Sequence, residues 1–159
     1  MMSFLRKLFS TPRLQAMNDP DFGRIGFFPS KVGGARGIWQ TIDDGNVLSE
    51  SARLGFCSIP GDLSGPFAEA RAFLLGKRDL LKEVWEQAAP ALEGIRAHWR
   101  PDTAGRPLRE VFVLTSLGME DPIADPPVWE VSFEPRDGAW IFASVCFEGA
   151  AVIATSCDT

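Results

Sequence analysis

VWEVSFEPRDGAWIFASVCFEG, residues 128–149, decides how this chain is read. Trp129, Val131 and Phe133 alternate with Glu130, Ser132 and Glu134. Successive side chains of a strand point to opposite faces, so this period of two predicts a strand with one apolar and one wet face. Arg136-Asp137-Gly138 is turn chemistry, because Gly tolerates positive φ and Asp bonds its own backbone. It predicts a hairpin returning over Trp140–Phe147. Glu148-Gly149 turns again into a strand over Ala151–Ser156. The closing third of the chain is thus an antiparallel meander.

Working outward, the opening third carries the same signals. Phe22–Phe28 reads as a strand, followed by the glycine-rich turn Lys31–Gly37. Gly37–Asp43 alternates Ile38 and Ile42 against Trp39 and Thr41. Asp43-Asp44-Gly45-Asn46 is a turn, and Ala52–Ile59 a third strand stopped at Pro60-Gly61. Between the two strand groups, residues 64–99 carry helical spacing: Leu81, Val84, Trp85, Ala88, Leu92, Ile95 and Trp99 make one apolar stripe. Ser64 is the expected cap, with Pro66 in the first turn, Gly76 a break and Pro90 a kink. Arg109–Leu117 starts the second strand group, and the proline-rich stretch 118–128 reads as a loop. Strands clustered on either side of helices predict an α+β fold. The expected architecture is an antiparallel sheet of about six to seven strands in βββ-αα-ββββ order, with the helices on one face. The expected organisation is a basic N-terminal segment, 1–18, and a single domain, 19–159.

The 159 residues suffice for a proper core, and the composition, 45% hydrophobic and 23% charged, is that of an ordinary soluble domain. The net charge of -5 argues against nucleic acid as a partner, which needs a surplus of Lys and Arg on one face. Residues 1–13 hold Arg6, Lys7 and Arg13 without an acid, so the body carries -8 and favours basic partners. Met1–Phe9 is too short and too charged for a secretory signal; as a helix it would give at most weak contact with anionic lipid through residues 1–13. Cys57, Cys146 and Cys157 are odd in number and widely spaced, which points to reduced thiols in a cytoplasmic protein.

Chemistry-bearing patterns are sparse. His98 is the one histidine, at a helix end, with no orienting partner or nucleophile beside it in sequence. Three Cys and one His match a zinc ligand count but lack the close pairs such sites use. Gly33-Gly34-Ala35-Arg36-Gly37 leads into a strand, where a dinucleotide fingerprint needs a helix. Asp43, Asp44 and Glu50, and again Glu120, Asp121 and Asp125, gather acid without calcium-loop spacing. No catalytic residue, metal or cofactor is expected. The candidate binding residues are Trp39, Trp140 and Phe142, as aromatic anchors, and Asp43, Asp44 and Glu50, as an acidic rim. Trp129 reads as core.

Asp19-Pro20-Asp21-Phe22-Gly23-Arg24-Ile25, leading to Gly37-Ile38-Trp39, resembles the "DPxFG" opening strand of a group of small bacterial domains of unknown function. Val128–Phe133 followed by Val145–Gly149 is similar to their tryptophan-started closing hairpin. The resemblance covers about residues 19–156. It implies kinship with small acidic proteins of the toxin-immunity type and carries no catalytic residues. Many members have a histidine in the closing strands, which this chain lacks. The expected function is non-catalytic protein binding, with a small-molecule pocket or carboxylate-based enzyme, or a peripheral membrane accessory, as the alternatives.

Overall fold

The computed structural model describes residues 15–30, 36–42, 56–121 and 124–159. Nine strands among them form one sheet in the order β1-β2-β3-β4-β6-β7-β8-β9, with β5 attached to β4. The strands are β1 Ala16–Asp19, β2 Gly23–Pro29, β3 Arg36–Thr41, β4 Phe56–Asp62, β5 Gly65–Pro66, β6 Phe112–Asp121, β7 Val128–Pro135, β8 Phe142–Glu148 and β9 Ala151–Asp158. The helices are α1 Ala68–Asp79, α2 Leu81–Trp99 and the single turn α3 Leu108–Val111. The class is α+β, as the patterning predicts.

The sheet is not purely antiparallel. Two antiparallel meanders, β1–β4 and β6–β9, lie side by side, and β4 pairs β6 in parallel, Phe56 to Ser116 and Cys57 to Leu117. The helices cause this. A parallel neighbour requires a crossover, and α1 and α2 form one between β4 and β6. The expectation of six to seven strands also falls short. It missed β1, whose first three residues fall in the segment assigned to a basic N-terminus, and β5, a two-residue strand.

Both long helices cover the same face. Phe73 of α1 meets Trp129 edge-on at 5.9 Å, and Trp85 of α2 meets Phe133 at 4.8 Å. Trp129, Val131 and Phe133 pair across to Phe147, Val145 and Ala143, and all six are buried. The period of two in residues 128–134 therefore lays down the core face of the sheet. Trp129 stacks on Phe147 at 4.4 Å and donates its indole N–H to the Gly149 carbonyl at 2.7 Å. Burial of a tryptophan is tolerated where its one donor finds an acceptor.

The opposite face is less wet than the alternation predicts. Glu134 is exposed and Glu130 half-buried, but Ser132 is only 1% exposed and its hydroxyl lies 3.0 Å from that of Ser144. Two hydroxyls that satisfy each other can be buried at small cost. Ser116, Ser132, Ser144 and Ser156 stand in register across β6 to β9.

Several boundaries move for local reasons. Ser64 does not cap a helix: Gly65–Pro66 first pairs back onto β4, and α1 begins at Ala68 without a side-chain cap. β4 runs through Pro60-Gly61 to Asp62, past the expected stop. Gly61 permits this, since a Cβ there would stand 2.4 Å from the Gly65 carbonyl oxygen and 2.6 Å from the Trp39 ring. α1 continues past Gly76, and α2 continues past Pro90; the break between them falls at Leu80. Residues 108–111 form α3 before β6 begins at Phe112, and β6 extends to Asp121, into the stretch read as loop. The return strand of the hairpin starts at Phe142 rather than Trp140. The turn predicted at Asp43-Asp44-Gly45-Asn46 lies outside the described residues.

The "DPxFG" residues are a turn, not a strand. Asp19 ends β1 and its Oδ1 accepts the N–H groups of Asp21 and Phe22 at 2.8 and 3.0 Å. Its other oxygen and that of Asp21 hold the two ends of the Arg71 guanidinium, reaching from α1. Arg71 also lies over the buried Phe22 ring at 5.3 Å. The motif thus fastens the first hairpin to the helical layer, and its residues are explained by folding.

Candidate functional site

The second notable cluster of charge is at the β7–β8 connection. Gly138 takes φ +76°, which a Cβ would oppose. Asp137 Oδ1 accepts the Ala139 N–H at 3.1 Å, and the Gly138 N–H reaches the Pro135 carbonyl at 3.2 Å. The Ile141 N–H closes a tight turn on the Ala139 carbonyl at 2.8 Å. These bonds use the loop's polar groups internally and leave Trp140 at its apex.

The loop is also held from outside. Arg100, at the end of α2, donates to both oxygens of Asp137, at 3.1 and 2.7 Å, and to both of Asp102 at 3.1 Å. Bidentate pairs of this kind fix orientation as well as position. The hydrogen bonds that Arg100 donates to Asp102 and Asp137 raise its pKa above the ordinary value. The Arg100 guanidinium in turn holds the carboxyls of Asp102 and Asp137 below the usual carboxylate range. On the loop's other flank, Arg136 donates Nε to the Arg109 carbonyl at 2.7 Å, and its N–H to that of Val111 at 2.9 Å.

The consequence is an indole on a staked loop. Trp140 is 92% exposed, and Phe142, two residues on, is 39% exposed. Trp140, Ile141 and Phe142 border a hollow of about 400 Å³, with Glu134 and Asp158 on its rim. Phe142 pairs with Asp158 in the sheet, so apolar and acidic groups share one end of β7, β8 and β9. Such a surface can accept an apolar side chain of a partner and meet its basic groups at the rim.

The other candidate residues fall elsewhere. Trp39 is not a surface anchor: it is 0% exposed, 5.4 Å from the Phe27 ring, with its N–H donated to the Asp62 carbonyl at 2.8 Å. Its place in β3, opposite Ile59 of β4, puts it on the face that the helices cover. Asp43, Asp44 and Glu50 lie outside the described residues. His98 is exposed on the last turn of α2, its ring 5.0 Å from that of Trp99. Cys146 and Cys157 are on neighbouring strands but out of register, since Cys146 pairs with Ala154 and Cys157 with Ala143. Burial pushes the Cys57 thiol up to about 12. Among the described residues no group of three His, Cys, Asp or Glu is placed to hold a metal ion. No helix among them is long and apolar enough to cross a membrane.

Sequence reasoning did not find Arg100 and Asp137 as a pair. They are 37 positions apart, and only the closure of the β7–β8 hairpin against the end of α2 brings them together. No family model, curated protein or solved structure matches the chain.

Proposed function

We propose that this chain is a protein-binding module whose contact surface is the Trp140 loop. The observation that carries the reading is an indole 92% exposed on a loop pinned by Arg100. Folding alone does not explain it, because exposing a tryptophan forfeits the burial of a large apolar surface. Tryptophan is enriched among the residues that dominate binding energy, and a loop ordered in advance loses little entropy on contact.

The partner is a basic protein. Glu134 and Asp158 rim the hollow, and the chain's net charge of -5 favours encounter with positive surfaces. The chain resembles small bacterial domains of unknown function, and the analogy between related small acidic domains and toxin-immunity proteins supports a secreted basic toxin as the class of partner, met in the cytoplasm. No catalytic role is assigned to any residue.

The test is native mass spectrometry of the tagged chain withdrawn gently from its own cells, beside Trp140→Ala. Wild type carries a stoichiometric basic protein and Trp140→Ala does not. A small added mass on wild type, lost in Trp140→Ala, would replace the reading with a ligand pocket. A partner held equally by both would refute the site.

A further inference from the structure

We propose that β9 is an interface at which two copies of this chain pair, edge to edge and antiparallel, into one continuous sheet. β9 is the last strand of the sheet, so one side of its backbone has no neighbour among the described strands. It is eight residues long, and Ala151 to Ser156 are all exposed, Ile153 by 51%. Natural edges of this length are guarded by Lys, Pro, inward-pointing charge or a bulge, and the bulge here falls at Ile153, outside the stretch Ala154–Asp158. Residues 151–157 contain no charge and no proline. The opposite edge, β1, is only four residues long.

The register selects the geometry. Cys146 pairs with Ala154 and Phe147 with Val152, so Ile153 is a bulge and Ala154–Asp158 is the regular stretch. Antiparallel pairing centred on Ser156 sets Thr155 against Cys157, and Ala154 against Asp158, of the second copy. The strand's one charge then faces a methyl group. Parallel pairing would set Asp158 against Asp158 of the second copy, which repels. Pairing β9 with β1 of another copy would leave edges open and grow a filament, whereas β9 with β9 closes.

The flank of the edge fits a second copy as well. A groove of about 500 Å³ runs between α2 and β9, bordered by Ala91, Gly94, His98, Trp99, Thr155 and Cys157. A two-fold axis through Ser156 and normal to the sheet places both helical layers on one side. α2 presents small residues there, and the space beside Gly94 is open. Trp99, 41% exposed at the groove's end, gains cover. Asp158 belongs both to this pairing and to the Trp140 rim, so the two surfaces meet at the end of β9, while residues 151–157 offer a basic partner no acid.

The experiment is sedimentation velocity on the full chain from micromolar to near-millimolar concentration, with hydrogen exchange of the β9 amides alongside. Wild type reaches a species of twice 17.4 kDa, and protection of residues 154–158 rises with concentration. Ser156→Lys sets two like charges together at the axis and keeps the single-chain mass throughout, with unchanged unfolding by denaturant. Trp99→Gln, at the groove's end, raises the concentration needed for pairing. A single-chain mass for wild type at every concentration overturns the proposal. So does a two-chain species that survives Ser156→Lys with the β9 amides still unprotected.

Discussion

Asp19 is the residue through which the opening motif acts, and replacing it separates two contributions. Asp19→Ala removes the acceptor for the Asp21 and Phe22 N–H groups and the partner of Arg71. Loss of a side-chain acceptor at a turn or helix start costs about 1 kcal/mol. Loss of a hydrogen bond to a charged group costs about 1.5–3 kcal/mol, which is discounted here because Arg71 is partly exposed and keeps Asp21. The expected total for Asp19→Ala is about 2–3 kcal/mol, and about 1 kcal/mol for Asp19→Asn, which keeps the turn acceptor and loses the charge. In a chain of this size that is a fall in Tm of about 5–10 °C and about 2–4 °C respectively. Urea and thermal unfolding followed by tryptophan fluorescence read both. A double-mutant cycle with Arg71→Gln should show coupling of at least about 0.5 kcal/mol. If Asp19→Ala cost less than about 0.5 kcal/mol, as an ordinary surface change does, the motif would not be a fastening and its residues would need another explanation.

Other expectations follow from the same geometry. Gly61→Ala should cost about 2 kcal/mol or more, because its Cβ would stand 2.6 Å from the Trp39 ring and 2.4 Å from a carbonyl oxygen. Gly76→Ala, in open space on α1, should stabilise by about 0.5–1 kcal/mol; equal unfolding midpoints for the two would contradict the packing described. Asp102 and Asp137 have depressed folded-state pKa values. Their contribution is therefore complete above the ordinary carboxyl value of 3.8 and is lost as pH falls from there through the depressed values. Asp137→Asn should flatten the acid limb of a stability–pH curve, and an unchanged limb would count against the pairing. Phe133→Ala should cost about 3–5 kcal/mol, since the side chain is buried against Trp85 and between β6 and β8. Cys57, buried with a thiol raised to about 12, should react with a disulfide reagent at neutral pH only on unfolding.

How much of this was legible in the sequence depends on the range of the contact. The β7–β9 meander was readable, because its alternation, its Gly138 and Gly149 turns and its apolar face are local properties. The stripe from Leu81 to Trp99 likewise predicted α2. The parallel β4–β6 pairing was not legible: it depends on where a fifty-residue excursion returns, and both strands look alike in either direction. β1 was hidden because its short run, AMND, has no apolar alternation and is held by backbone pairing with β2. Trp39 and Trp140 are the same residue type with similar neighbours in sequence. Only the packing distinguishes them, since Trp39 falls on the helix-covered face and Trp140 in a turn beyond the end of β7. Trp140 and Phe142 are both among the aromatic anchors the sequence suggests, and both are exposed. The Arg100–Asp137 pair that stakes the loop is a tertiary contact and had no local signal.

On the proposed function, Trp140 is exposed for binding and not for folding. The most direct measurement is paired: the unfolding free energy of Trp140→Ala, and native mass spectrometry of the same variant and wild type drawn from their own cells. The expected result is unfolding within about 0.5 kcal/mol of wild type, as for other surface positions, together with loss of a stoichiometric basic partner that wild type retains. A variant that keeps the partner, or one that loses both partner and stability together, would contradict it.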